Sequence, residues 1–413
     1  MSLVGLLALG HCVAFADRNL PAVAAPLLKA DLGLSDAQLG LLLGPAFAAL
    51  YAVGMLASLP LANSRHRFRL LAGCIVTWAL GMAVFALARS FAELVAARAL
   101  VGLGQSAFVP LALGLIVERS APAWRARSMA VFTAGSAAGR SLALLVGGLA
   151  LALLTQWVPA SALAHWRLLF LAMAAPNLIL VVLLLRCREQ PPLSPAPAAT
   201  LRQILAWLRQ RPALMGLYLG GGVGSVLVVQ TVGAWAPSVL NREQGMIPAD
   251  AALAFGAALL VAAPLGHLIA GALVDLRGKR LTPMTVVAGG LLLAVPLLWA
   301  VPRAESATVA CGLLALTSLA GGSAAVAALV GLPPMLPARL RDAAVRLFLV
   351  FITVAGVGLG PFAAGWVSDG LGEGGRGLST ALCLVCLSAA AFGIVSALLA
   401  RGGWRQVVAE SAR

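Results

Sequence analysis

The chain has 413 residues, of which 61% are hydrophobic and only 10% charged. Soluble domains carry about 25% charged residues, so the composition excludes a soluble protein and fits one that crosses a membrane many times. A net charge of +15 would suit nucleic acid, but phosphate-binding residues form a patch or stripe. Here the basic residues fall in short clusters between apolar runs, and no nucleic-acid partner is expected.

Apolar runs broken by Gly, Pro or charge clusters predict twelve spans. They cover 3–28, 37–62, 69–88, 91–118, 127–155 and 164–186, then 213–240, 250–275, 281–301, 305–336, 340–371 and 378–401. Each is long enough for a hydrocarbon core about 30 Å thick. The predicted fold class is an all-α polytopic membrane protein, with twelve transmembrane helices in two six-helix bundles. The N-terminal bundle takes 1–186 and the C-terminal bundle 213–401, with a cytoplasmic linker over 187–212 and a tail over 402–413. Within the linker, 199–210 can form an amphipathic helix with Leu201, Ile204, Leu205 and Leu208 on one side.

The first span carries Asp17 and Arg18 near its centre. An ionised side chain there costs at least about 2.5 kcal/mol if it faces lipid, so the pair looks inward. Neighbours in sequence point about 100° apart around a helix, so each needs a partner elsewhere. The alternative is a mutually neutralised pair that only ties down the helix. No basic segment precedes this run, and no cleavable signal is expected.

Basic residues set the orientation. Arg65, Arg67, Arg69, Arg119, Arg125, Arg127, five arginines around the linker, Arg277, Lys279, Arg280, Arg339, Arg341, Arg346 and three near the C-terminus lie on one side. They are 20 of the 29 Lys and Arg, and the positive-inside rule puts both termini in the cytoplasm. Among the cysteines, Cys383 and Cys386 have redox spacing, but inside an apolar helix they read as small packing residues.

The halves repeat weakly. Span 2 leads into Leu59-Pro-Leu-Ala-Asn-Ser-Arg-His-Arg-Phe-Arg69, and span 8 into Gly271-Ala-Leu-Val-Asp-Leu-Arg-Gly-Lys-Arg280. With twelve spans in two sixes, these basic loops resemble those of the major facilitator superfamily. The resemblance makes Asn63, Arg65, Asp275, Arg277, Lys279 and Arg280 candidate gating residues. Asn63 stands where that family usually has Asp, which puts the charge-paired gate of the first half in question. Asp17-Arg18, Gly33-Leu-Ser35, Arg98-Ala-Leu-Val-Gly-Leu-Gly-Gln105, Trp235-Ala-Pro237 and Gly358-Leu-Gly-Pro361 are similar to the Spinster-like branch of lysolipid and sphingolipid transporters. Organic-anion/cation symporters share the first-span motif and form a rival branch.

Four charged residues lie at membrane depth: Asp17, Arg18, Arg98 and Arg140. Arg98 and Gln105 are seven apart, on one face of a helix. The resemblance implies a proton-binding glutamate at position 105, and Gln105 cannot titrate. Coupling has then moved to Asp17, or it has weakened or been lost. Arg140 interrupts a run of small residues, Gly135 to Gly139. Its guanidinium needs an anionic ligand or a carboxylate such as Asp17. Gln230, Trp235 and Trp366 are either cavity liners or helix-interface residues, and His267 reads as a packed, hydrogen-bonded residue.

The spans contain no carboxylate pair for acid–base chemistry, no metal cluster and no phosphate-cradling loop. Neither an enzyme nor a cofactor is expected. The reading is a monomeric secondary transporter working by alternating access, with membrane lipids around it. Its substrate is an amphiphilic organic anion, of the lysophospholipid or sphingoid-phosphate kind that the Spinster-like resemblance implies, with Asp17 the candidate proton-coupling residue and substrate contacts on Arg18, Arg98, Arg140, Gln105, Gln230 and Trp235. Rival readings are a carrier of small carboxylates or sugar acids, an exporter of drugs or siderophores, and a receptor that has lost transport.

Overall fold

The computed structural model describes residues 2–58, 61, 64–159, 163–189, 201–276, 281–372 and 375–411. Asn63, Arg277, Lys279 and Arg280 therefore lie outside the described residues. Twelve helical segments are long and apolar enough to cross a membrane. In order they are α1 Leu3–Leu32, α2 Asp36–Ala57, α3 Arg67–Leu87, α4 Phe91–Arg119, α5 Arg127–Trp157, α6 His165–Leu185, α7 Pro212–Gln244, α8 Pro248–Asp275, α9 Pro283–Arg303, α10 Ala307–Met335, α11 Ala343–Leu371 and α12 Gly377–Glu410. The protein is an all-α polytopic membrane protein.

Three segments are interrupted for local reasons. Gly44 separates the two pieces of α2, with Pro45 opening the second, a position where its missing N–H matters least. In α4 the break falls at Ala107, because Pro110 cannot donate to the carbonyl one turn back and its ring crowds it. Residues Thr353–Gly358 of α11 form a π-helical turn.

The chain divides into two compact units, one made of 1–195 with 237–260, the other of 196–236 with 261–413. In the first unit α1 and α5 lie backbone to backbone. A Cβ added at Gly135 would come within 2.6 Å of the Ala8 carbonyl oxygen, and one at Gly139 within 2.2 Å of that of Cys12. Only glycine permits such an approach. The segment 237–260 joins this unit through Asp36, to which Arg242 donates, and through Gly256, which packs on Leu144 and Leu145.

In the second unit Gly356 and Gly360 of α11 press against Val226, Leu227 and Thr231 of α7. The short helix Leu201–Leu208 forms as its pattern predicts, with Ile204 buried. The last helix runs on to Ser411, so residues 402–411 extend it where a tail was expected. Trp404 explains this: it is buried and its Nε1 donates to the Gly331 carbonyl at 2.8 Å. Cys383 and Cys386 are both buried and unbridged. His267 is exposed on α8, where packing had been expected.

Candidate substrate and coupling site

Proline prepares the centre of α1. Pro21 lies inside the helix and cannot donate to the carbonyl of Asp17, four residues back, which loosens the turn that carries the two charges. Their side chains then diverge. Asp17 is fully buried and turns toward α6 and α3. Asn177 Nδ2 donates to Asp17 Oδ2 at 2.8 Å, and Trp78 Nε1 donates to Asn177 Oδ1 at 2.6 Å. The other carboxyl oxygen, Oδ1, is buried with no hydrogen-bond partner among the described residues. The reach to Arg98 or Arg140 expected from sequence is not present here: among the described residues Asp17 makes no ion pair.

Arg18 turns the other way. Its guanidinium carbon lies 4.4 Å from the ring centres of Phe15 and Phe47 and 4.8 Å from that of Tyr51. Each aromatic face is worth about 0.5–2 kcal/mol to a cation, more as water is excluded. Its Nε also donates to Gln105 Oε1 at 3.3 Å. Three rings and an amide therefore hold Arg18 without neutralising it.

Arg98 and Gln105 share one face of α4, as their spacing requires, and both grip the backbone of α1. Arg98 is 1% exposed. It donates from Nε to the Leu42 carbonyl at 2.9 Å and from Nη2 to the Arg18 carbonyl at 3.2 Å. Nη1 is left without a partner among the described residues. Gln105 Nε2 donates to the Ala14 carbonyl at 2.8 Å.

Arg140 is partly buried near the middle of α5, where the glycines at 135 and 139 bring that helix against Cys12 and Phe15. Among the described residues its guanidinium has no hydrogen bond or ion pair. Arg18 is a like charge to both Arg98 and Arg140. The cluster thus gathers three cations around α1, and among the described residues no carboxylate is paired to any of them.

The remaining sequence candidates fall elsewhere. In the second unit, Gln230 is partly buried on α7, and Trp235 is fully buried with Nε1 donating to the Pro361 carbonyl at 2.9 Å. Trp366 is exposed on α11. Arg65 is exposed next to His66, to which it donates, and Asp275 is exposed at the end of α8. Sequence reasoning missed Asn177 and Trp78. The available signal was an amide following Pro176 in the interior of an otherwise apolar span, since polar groups at that depth are rare and functional by default. It also missed His11, buried on α1 and bonded through Nδ1 to the Phe132 carbonyl at 2.9 Å.

Comparison with known proteins agrees with this architecture. A curated relative, an MFS-type efflux pump of Mycolicibacterium smegmatis, is 28% identical over 99% of this chain and 94% of its own length. The 3-(3-hydroxy-phenyl)propionate transporter of Escherichia coli is 29% identical over 57% of each chain. Among solved structures, a bacterial homolog to the human lysosomal transporter Spinster, inward-facing and unoccupied, superposes with a TM-score of 0.81 at 23% identity. That match covers 98% of this chain and 96% of the other. The family model described as Major Facilitator Superfamily matches residues 7–361, and the chain belongs to that superfamily of alternating-access transporters.

Proposed function

We propose that this protein is a secondary carrier of an amphiphilic organic anion, a lysophospholipid or sphingoid phosphate in kind. Arg140 and Arg18 take the anionic group and Asp17 serves as the proton-coupling residue. The observation that carries the reading is Arg140 itself. A partly buried guanidinium in the middle of a spanning helix, with no anion or acceptor among the described residues, is stable only if its charge is answered. A ligand carboxylate or phosphate answers it with paired hydrogen bonds. Arg98 adds positive potential, and Gln105 orients Arg18. Gln230 and Trp235, on α7 in the second unit, stay in this proposal as candidate substrate contacts from the sequence. The basic loops with Asn63, Arg65, Asp275, Arg277, Lys279 and Arg280 belong to it as gates.

Both termini face the cytoplasm in this reading, on the evidence of the basic residues. The protein works as a monomer in a bacterial inner membrane. A second reading, a carrier of small organic acids, is favoured by the name of the E. coli relative and uses the same arginines.

The test is counterflow in liposomes of the full chain, with lysophosphatidylglycerol and 3-(3-hydroxyphenyl)propionate as separate substrates. Exchange of the lipid supports the first reading, and exchange of the aromatic acid alone supports the second. Arg140→Gln should reduce either exchange at least about tenfold, with Arg140→Lys in between. Undiminished exchange by Arg140→Gln would remove Arg140 from the site.

A further inference from the structure

The three side chains that join α1, α3 and α6 have a direction built into them. Trp78 Nε1–H can only donate, so the oxygen of the Asn177 amide must face it, and the amide nitrogen must then face Asp17. All three residues are 0% exposed. Pro176, next to Asn177 inside α6, removes one backbone N–H from the preceding turn. The order Trp78 to Asn177 to Asp17, at 2.6 Å and 2.8 Å, therefore admits no flipped amide.

We propose that Asn177 is the positioning residue of the Asp17 carboxyl: it keeps the acid off the arginines, so that their charge is left for the anionic ligand. This rests on the functional reading above. A buried carboxylate deprived of its donor must find another or suffer a large desolvation penalty. Among the described residues, the charged and titratable groups nearest this depth on the surrounding helices are His11, Cys12 and Arg18 on α1, Tyr51 on α2, Cys74 on α3, Arg98 on α4 and Arg140 on α5; those nearer the helix ends, such as Lys29, Asp31, Asp36, Arg67, Glu93, Glu118 and Arg167, lie further along the chain from Asp17 or its partners. Any arginine that Asp17 captured would be lost to the substrate. Asn177 avoids this because a neutral amide N–H binds Oδ2 whether the acid is ionised or not. A proton can then reside on Oδ1, the oxygen without a partner among the described residues, without breaking the network. An arginine in the same place would bind strongly only to the ionised form. Two tasks, proton binding and anion binding, are thereby kept on separate groups within one cluster.

The experiment measures binding of dodecyl phosphate and of 3-(3-hydroxyphenyl)propionate to the purified full chain, as a function of pH. Variants are Asn177→Leu, Trp78→Phe, Asp17→Asn and the Asn177→Leu/Asp17→Asn double. Asn177→Leu should weaken binding about tenfold at alkaline pH, where a released Asp17 carboxylate occupies an arginine. The loss should shrink as pH falls and the acid is protonated. Adding Asp17→Asn should restore affinity to within about threefold of wild type, which repair of a merely misfolded protein would not achieve. Trp78→Phe, which keeps an aromatic ring but loses the orienting N–H and part of the indole's volume, should show the same pH-dependent loss in milder form, and its pH dependence separates the lost N–H from the lost packing. It carries the test alone if Asn177→Leu does not fold.

Unchanged affinity in both Asn177→Leu and Trp78→Phe overturns the proposal. So does a double variant that stays as weak as Asn177→Leu. If wild type binds neither probe, or Arg140→Gln binds as wild type does, the functional reading fails instead. The positioning role is then decided by the infrared carboxyl band that Asp17→Asn abolishes, which must shift in Trp78→Phe if Asn177 holds Asp17 as proposed.

Discussion

Gln105 bridges two points one turn apart on α1: it donates to the Ala14 carbonyl at 2.8 Å and accepts from Arg18 Nε at 3.3 Å. A protonated glutamic acid could make both bonds, its hydroxyl to Ala14 and its carbonyl oxygen to Arg18. An ionised glutamate could make only the second, and would set a negative oxygen against a carbonyl oxygen. The wild-type amide is thus a fixed copy of the protonated acid.

Gln105→Glu should therefore behave like wild type at acid pH and depart from it as pH rises. The ionised form pairs with Arg18, withdraws that cation from the anion site and strains the contact with Ala14. Substrate affinity in the variant should fall with increasing pH by up to about tenfold, while wild type lacks this component. Affinity measured from pH 5 to 9 on both proteins decides the matter. A variant whose profile overlays wild type would mean that position 105 does not communicate with the site.

Arg98 reads differently from the other two arginines once its partners are known. Leu42 lies in the last turn of the first piece of α2, just before the break at Gly44, where carbonyls lack helical donors. The Nε of Arg98 supplies one of them and places a cation at the negative end of that short helix. Arg98→Met should leave the Leu42 carbonyl without its donor, remove the extra bond to the Arg18 carbonyl and lower stability by about 1–3 kcal/mol. Amide exchange should rise on both sides of Gly44. Normal thermal stability with abolished anion binding would instead make Arg98 a ligand contact.

How much of this was legible in the sequence varies by distance along the chain. The spans were, because apolar run length is local; 69–88 was expected and Arg67–Leu87 found. The meeting of α1 and α5 was foreshadowed by small residues at 135 and 139, and the shared face of Arg98 and Gln105 by their spacing. The partner of Asp17 was not. Sequence offered arginines as the natural answer to a carboxylate, and the structure supplies Asn177, 160 residues away. Helical periodicity says which face a side chain occupies, and says nothing of which of several helices will cover that face. The continuation of α12 past Arg401 was hidden for a similar reason: its polar composition looks like a tail, and Trp404 packs only once Gly331 is in place.

Glu189, just before the undescribed part of the linker, reaches back to the start of α3. Its carboxylate oxygens accept from the backbone N–H groups of Phe68 at 3.3 Å and Arg69 at 2.9 Å. It thus caps a helix whose own flanking residue, His66, makes no side-chain cap. Glu189→Ala should speed amide exchange at those two residues about fivefold or more, the equivalent of a lost cap. Glu189→Gln, which keeps an acceptor but not the charge, should fall between. Exchange confined to its wild-type rate in Glu189→Ala would show that water caps the helix equally well.

The last prediction concerns Asp36, whose carboxylate is 2% exposed and sits between two cations. Lys29 Nζ donates to Oδ1 at 2.8 Å, and Arg242 Nη1 lies 2.8 Å from each oxygen. Position reinforces charge, since Asp36 opens its helix inside a capping box and Arg242 is in the last turn of α7, each at the end its sign prefers. Both cations are about a quarter exposed, so water can take over their hydration when the acid is removed. The buried acid has no such recourse. Asp36→Asn loses both bridges and should be the most damaging single change. Arg242→Gln leaves Asp36 with Lys29 and should be milder. A double-mutant cycle on unfolding in mixed micelles should give an Asp36–Arg242 coupling of about 1–3 kcal/mol, above the range of an exposed surface pair. Added salt should reduce it only slightly, because the carboxylate is shielded from solvent ions. A coupling near zero at low salt would mean that Arg242 contributes nothing to holding the end of α7 on α2.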